Sequence, residues 1–153
     1  MPIVTSISET AIRDQAKKDG VTHISTGVAV VKDGKILMTR RVEGDFLGGN
    51  YELPGGGIDE GETITEGAIR EVQEETGLII SKIIATFDGF DYTTDKKPHV
   101  RQINFIVETK PGHVILSHEH DDFIWVDENN IDSVKTTDNM RKCVKDALQI
   151  LQN

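Results

Sequence analysis

The stretch that decides how this chain is read runs from Gly55 to Leu78, GGGIDEGETITEGAIREVQEETGL. It opens as a glycine-rich loop and turns into a segment loaded with carboxylates. Thr63 stands where an N-cap is needed, Glu66 can reach back to complete a capping box, and Gly77 supplies a left-handed stop. The spacing therefore predicts a helix from about Ile64 to Thr76. At about 100° per residue, Glu71, Glu74 and Glu75 fall within roughly a 100° arc. The neighbouring arc carries Ala68, Ile69 and Val72, which would be buried against a sheet. Carboxylates at this spacing repel by about 0.2–0.5 kcal/mol per pair on an open helix, and by more where water is excluded. A hard divalent cation such as Mg²⁺, completed by water and phosphate oxygens, would offset that cost. The bland alternative is a solvated acidic face, with Arg70 and Glu74 as an ordinary surface ion pair.

The spacing of these residues has a counterpart. Gly56, Glu62, Arg70, Glu71, the aliphatic Val72, Glu74, Glu75, Gly77 and the aliphatic Leu78 fill the fixed positions of the signature of the Nudix, or MutT-like, hydrolases, and the chain resembles that family. The resemblance implies an α+β fold, an α/β/α sandwich around a mixed β-sheet. It implies a Nudix domain over residues 22–153, preceded by an extension over residues 1–21. The implied reaction is hydrolysis of a phosphoanhydride in a nucleoside diphosphate linked to another group, by attack of water on phosphorus. Divalent metal, Mg²⁺ with Mn²⁺ as the alternative, neutralises developing charge and acidifies a bound water whose proton a carboxylate takes. Positioning and electrostatics supply most of the acceleration in such transfers.

By match to the family's motif, Glu71, Glu74 and Glu75 are expected as metal ligands, with the carbonyl of Gly55 as a backbone ligand. Arg70 is expected to orient a carboxylate rather than touch substrate, and Glu62 to brace the loop. Glu119 lies in a loop where some family members place a further metal-binding or base carboxylate; its alternative is a solvated acid in the polar run His118 to Asp122. For the general base the order of preference is Glu71, then Glu119, then His120. His118 and His120 could form a transition-metal pair, but no third closely spaced nitrogen or sulfur ligand accompanies them. In the family an Arg at the position of Arg41 often contacts substrate phosphate, so Arg41 and its neighbour Arg40 are candidate substrate ligands, with a solvated strand end as the alternative. Tyr51 is a third candidate substrate contact. It belongs with Phe90, Tyr92, Phe123 and Trp125 to the aromatics that could stack on a base or simply wall the core. Asn139 sits near, but shifted from, a position where one branch of the family reads a purine. The proline that ADP-ribose hydrolases carry downstream of the box is replaced by Thr93 and Thr94, which favours other substrates.

Composition bounds the remaining choices. The chain has 153 residues, 37% hydrophobic and 28% charged, which suits one globular domain with an ordinary core. The net charge of −9, from 17 Lys plus Arg against 26 Asp plus Glu, opposes binding to nucleic-acid polymers and to anionic membranes. A small phosphorylated nucleotide bridged by metal is compatible with it. The expected substrate is thus a nucleoside triphosphate or related small nucleotide, with a nucleotide-sensing module, an ADP-ribose or nucleotide-sugar hydrolase, and action on capped RNA as alternatives; a homodimer is compatible. Pro2 to Lys18 lacks a continuous apolar core and the longest apolar run, Val28 to Val31, is too short to span a bilayer, so a cytoplasmic location is expected. The single Cys143 lies at helical spacing with Met140, Val144 and Ala147 and reads as a core residue.

Outward from the central stretch, Ser6 with Glu9 could cap a short helix carrying Ile7, Ala11, Ile12 and Ala16, for packing against the core or a dimer partner. Ile24 to Val31 and Lys35 to Arg41 read as a hairpin across Asp33-Gly34. A glycine-containing loop, Val42 to Asn50, then leads to Tyr51-Glu52-Leu53-Pro54. After the box, Ile79 to Phe90, His99 to Glu108 and Phe123 to Val126 read as strands, with Val114 to Leu116 as a short edge. Thr137 or Asp138 caps a last helix striped by Met140, Val144, Ala147, Leu148 and Leu151.

Overall fold

The computed structural model describes residues 8–153. In chain order the elements are α1 (Glu9–Lys18), β1 (His23–Lys32), β2 (Lys35–Arg41), β3 (Tyr51–Glu52), α2 (Ile64–Thr76), β4 (Ile80–Tyr92), β5 (Val100–Thr109), β6 (His120–Val126), a 3₁₀ turn at Ile131–Ser133, and α3 (Asp138–Gln152). The helix expected from Ile64 to Thr76 has those limits. Its cap is the capping box of Thr63 and Glu66, and Gly77 adopts φ +73°. The cap expected at Ser6 lies outside the described residues, as does Ile7; Ser8 caps α1 by accepting from the N–H of Ala11.

The sheet is mixed. β1 runs parallel to β5 and every other pairing is antiparallel. Asp33 and Gly34 take φ +52° and +77°, which turns β1 into β2, but the two strands stay paired only next to that turn, at Val31 with Ile36 and Lys32 with Lys35. Beyond it they part, β2 leaving to pair with β3 and β6. The opening exposes one edge of β1, and the glycine-rich loop fills it: Val28 N–H donates to Pro54 O and Thr26 N–H to Gly56 O, both at 2.8 Å. A bulkier chain would not fit. A β-carbon on Gly55, which sits at φ +154°, would stand 2.0 Å from Thr26 O.

Strand alternation sends side chains to two cores. Val28 and Val30 join Phe105, Val107 and Leu37 beneath Ile64, Ala68 and Val72 of α2. Ala29 joins Ile36, Met38 and Ile106 beneath Met140, Cys143, Val144 and Leu148 of α3. The fold is therefore the expected α/β/α sandwich, with α2 and α3 on opposite faces. Cys143 is buried in the second core, where it accepts from Asn104 Nδ2 at 3.1 Å and burial raises its thiol pKa.

Two local expectations change, and a short strand is added. Val114 to Leu116 is not a strand; Ile115 N–H donates to Thr76 O (2.8 Å) and Ser117 N–H to Glu75 O (3.3 Å), so this segment satisfies the last carbonyls of α2 instead of a sheet edge. β6 begins at His120 rather than Phe123, because Arg41 and Arg40 extend the β2 ladder to His120 and Asp122. Tyr51 and Glu52, which follow the Val42 to Asn50 loop, form the short strand β3. Among the described residues no helix is long and apolar enough to cross a membrane.

Candidate active site

α2 presents its carboxylates to the glycine-rich loop at the point where β1 and β2 part. Arg70 is the hub. Its Nε and Nη2 donate to the two oxygens of Glu62 (2.8 and 3.0 Å), Nη1 to Glu71 Oε1 (2.8 Å) and Glu74 Oε1 (3.1 Å), and Nη2 also to Gly57 O (2.9 Å). All three guanidinium nitrogens are thus engaged, which holds the loop, the brace and the helix in one arrangement. Glu62 also accepts from Asp59 N–H at 2.9 Å, and Arg70 keeps its carboxyl below the usual range. Arg70 thus contacts two carboxylates of the helix, and Glu62 ties the loop to it.

Glu71 and Glu75 form the crowded part. Glu71 lies against the loop so closely that a β-carbon on Gly56 would stand 2.7 Å from its Oε2. Glu75 is buried, accepts from Gly55 N–H at 3.2 Å, and lies within hydrogen-bonding reach of Glu71. Burial, and then the neighbouring Glu71, push the Glu75 carboxyl well above the usual range. Glu74 differs: its side chain is 59% exposed and turned to Arg70. Glu119 is exposed on the turn before β6; its backbone carbonyl accepts from Val42 N–H at 3.1 Å, and its charge acts on Arg41. Among the described residues no three His, Cys, Asp or Glu side chains close on a common point, so neither Glu74 nor Glu119 joins the Glu71–Glu75 pair in this arrangement. The donor set nevertheless fits a hard cation: carboxylate oxygens, two of them forced together beside a loop of backbone amides and carbonyls.

A cavity of about 380 Å³ opens beside this pair, with Gly55, Gly56, Arg41 and Glu52 on its polar side and Phe90, Tyr92 and Met140 on its apolar side. Arg41 is aimed into it by Glu52 Oε2 (3.1 Å) and by Phe46 O (2.8 Å). Burial works against the Arg41 charge, but Glu52 and Asp45 outweigh it and raise its pKa. Glu52 in turn accepts from Nε2 of the buried His120 at 2.9 Å. His120 Nδ1 has no partner among the described residues, which places the ring proton on Nε2 in the neutral form. Arg40 and Tyr51 do not line this cavity. Arg40 bonds Asp121 (2.8 Å) and lies over the Tyr51 ring, whose hydroxyl donates to Asp122. The β2–β6 register shifts between Arg40 and Arg41, and only Arg41 reaches the cavity. His118 is exposed while His120 turns inward, and the two do not pair. Of the aromatics weighed from sequence, Phe90 and Tyr92 reach the cavity. Asn139 lines it as well. Glu52 was missed; the available signal was its place next to the glycine-rich loop, two residues before Pro54.

A model of the NUDIX domain matches residues 21–147, and the chain belongs to that family. It is a hydrolase of the class that acts on acid anhydrides. The chain is 32% identical over 122 residues to the ADP-ribose pyrophosphatase of Methanocaldococcus jannaschii, a match covering 78% of this chain and 69% of that one. It is 33% identical over 90 residues to the 8-oxo-dGTP diphosphatase of Escherichia coli, covering 59% and 68%. Several other relatives are matched over less than two thirds of their length. Among solved structures it is similar to the MutT protein of Methanosarcina mazei Go1, with a TM-score of 0.68, 27% identity, and coverage of 86% and 95%. Proteins of this family generally need a divalent metal.

Proposed function

We propose that this protein hydrolyses the phosphoanhydride of a small nucleotide, a nucleoside triphosphate or a close derivative, with Mg²⁺ as cofactor and Mn²⁺ able to replace it. The observation that carries this reading is the Glu71–Glu75 pair, held against Gly55 and Gly56 at the edge of a cavity that also contains Arg41. Glu71 and Glu75 would hold the ion, with the Gly55 carbonyl and, after a rotation away from Arg70, Glu74 completing the protein's share. Bound there, the metal neutralises phosphate charge and acidifies a water molecule. Arg41, fixed by Glu52, neutralises a phosphate from the cavity side. Glu71 takes the proton of the attacking water, with Glu119 as the second candidate base. Arg70 keeps Glu71 pointed at the loop. Phe90 and Tyr92 offer the base an apolar wall. The net charge of −9 favours a small metal-bridged substrate over a polymer.

A second reading, ADP-ribose as substrate, is supported by the name of the Methanocaldococcus jannaschii relative. A panel of nucleoside triphosphates, oxidised nucleotides, nucleotide sugars, ADP-ribose and dinucleoside polyphosphates, assayed with Mg²⁺, separates the two by the product released: pyrophosphate from a triphosphate, AMP and ribose phosphate from ADP-ribose. Full activity of Glu71→Gln on the preferred substrate would reject the site assignment.

A further inference from the structure

Among the described residues, Lys97 is a cation beside the glycine-rich loop with no ion-pair partner. Lys97 lies in the turn between β4 and β5, which is closed in both directions: Thr94 N–H donates to Lys97 O (3.0 Å), and Lys97 N–H donates to Thr94 Oγ1 (3.0 Å) and Thr94 O (3.3 Å). Its half-buried side chain carries Nζ to the glycine-rich loop, 3.4 Å from where a β-carbon on Gly57 would stand. Gly57 is itself fixed, bridged to Ser25 of β1 and accepting from Arg70 through its carbonyl. Among the described residues none of the four acids of this hollow pairs with Lys97: Arg70 holds Asp59 (3.2 Å) and Glu62 (2.8 Å), Arg13 and the Ile64 N–H hold Glu9, and Glu60 is exposed. In a chain with 26 acidic residues, an ammonium that ends beside a backbone loop without a carboxylate partner is set for an anion from outside.

The loop is a ridge between two hollows. Gly55, Gly56 and Arg41 face the cavity described above; Gly57 and Lys97 face a wider one of about 740 Å³. We propose that Lys97 binds the far end of the substrate's phosphate chain, so that a linear polyphosphate lying across Gly56 and Gly57 is gripped by Arg41 on one side and Lys97 on the other. This rests on the phosphoanhydride reading above and narrows it. A linear triphosphate brings a terminal charge to Lys97, whereas a sugar linked to a diphosphate brings none. Lys97 is therefore a specificity residue for triphosphates.

The test compares Lys97→Met and Lys97→Arg with the unaltered protein on a nucleoside triphosphate and on a diphosphate sugar. Lys97→Met is expected to lower kcat/KM for the triphosphate about tenfold, mainly through KM, with little change for the diphosphate sugar. It should also flatten the salt dependence of the triphosphate reaction. Lys97→Arg should restore most of the loss, and Mn²⁺ affinity by calorimetry should be unchanged in both. Equal losses on the two substrates, no loss on either, or weakened Mn²⁺ binding would each overturn the proposal. If the unaltered protein turns over neither substrate, the phosphoanhydride reading fails, and Lys97 is judged on the affinity of a non-hydrolysable triphosphate with Mg²⁺. Weaker binding by Lys97→Met then upholds its role, and equal binding rejects it.

Discussion

At the N-terminal end of α2 the polar groups are paired. Thr63 and Glu66 cap each other's backbone, Glu9 of α1 accepts from Ile64 N–H at 2.7 Å, and Arg13 donates to Glu62 O at 3.1 Å. Two turns further on, Glu71 and Glu75 crowd two carboxyl groups together, one of them buried, with a single guanidinium touching Glu71 and none touching Glu75. The same helix is thus settled at one end and frustrated along the other half. A chain selected only for stability would not keep the second arrangement, because apolar side chains of similar volume would pack there at lower cost. The settled end is scaffold, and the frustrated half is where a ligand supplies what the fold lacks. That contrast can be broken by experiment.

The largest effect is expected from neutralising the crowded pair. Glu71→Gln should lower turnover by about 10²–10⁴-fold, the usual contribution of a positioned proton acceptor, and by more if metal is also lost. Its melting temperature should change little, since the amide oxygen can still accept from Arg70 and from the protonated Glu75. A melting temperature that falls in step with activity would place Glu71 in the scaffold and erase the contrast.

Arg70 joins the two halves, so its loss should damage both. Arg70→Met strips Glu62 and Glu71 of their cation, and about 2–3 kcal/mol of stability should go with it. Urea denaturation measures that figure, and Mn²⁺ titration should show weaker binding in the same variant. Retained stability would mean that Glu62 finds other donors and that the hub is not structural.

The contrast also marks what could be learned from the sequence. The box spacing, the limits of α2 and the burial of Ala68 and Val72 were legible because each depends on spacing along one helix or loop, whereas Ile69 is only half-buried and Glu74 turns outward to Arg70. The parting of β1 from β2 was not legible, since nothing local to Asp33-Gly34 says how long a hairpin stays paired; only Gly55 and Gly56, needing an edge of β1 to lie on, record it. Arg40 and Arg41 were read together, and the irregularity of the β2–β6 ladder between them, which no local sequence signal marks, goes with their separation. Glu52 and Lys97 were harder to read for another reason. Their partners, His120 and Gly57, are far away in the chain and come together only through the sheet.

Protonation offers a finer test of the frustrated half. The Glu75 carboxyl is raised in the folded chain above its ordinary value of 4.5, so the folded form keeps a proton that the unfolded form has released. Without metal, stability from this group is complete below that ordinary value and declines as pH rises through the raised one. The slope is at most about 1.4 kcal/mol per pH unit. A divalent ion must displace the proton, so the gain in melting temperature on adding Mg²⁺ should grow from pH 6 to pH 8.5. A gain independent of pH would mean that Glu75 is already ionised without metal.

The smallest effect belongs to the settled end. Glu9 is 28% exposed and caps a helix to which it is not joined in sequence, while Ile12 of α1 packs against the core that holds Ile64, and Ala16 is buried. Glu9→Ala frees one N–H at the positive end of the α2 dipole and releases Arg13, and should cost about 1 kcal/mol. Because the capping box and the Arg70 contacts survive, kcat should change little at temperatures well below melting. Urea denaturation of this variant beside its turnover on the preferred nucleotide decides the matter. If kcat falls while stability holds, the N-terminal helix is tuning the carboxylates through Glu62 and Arg70, and the boundary between scaffold and chemistry lies further toward the start of α2 than the contacts place it.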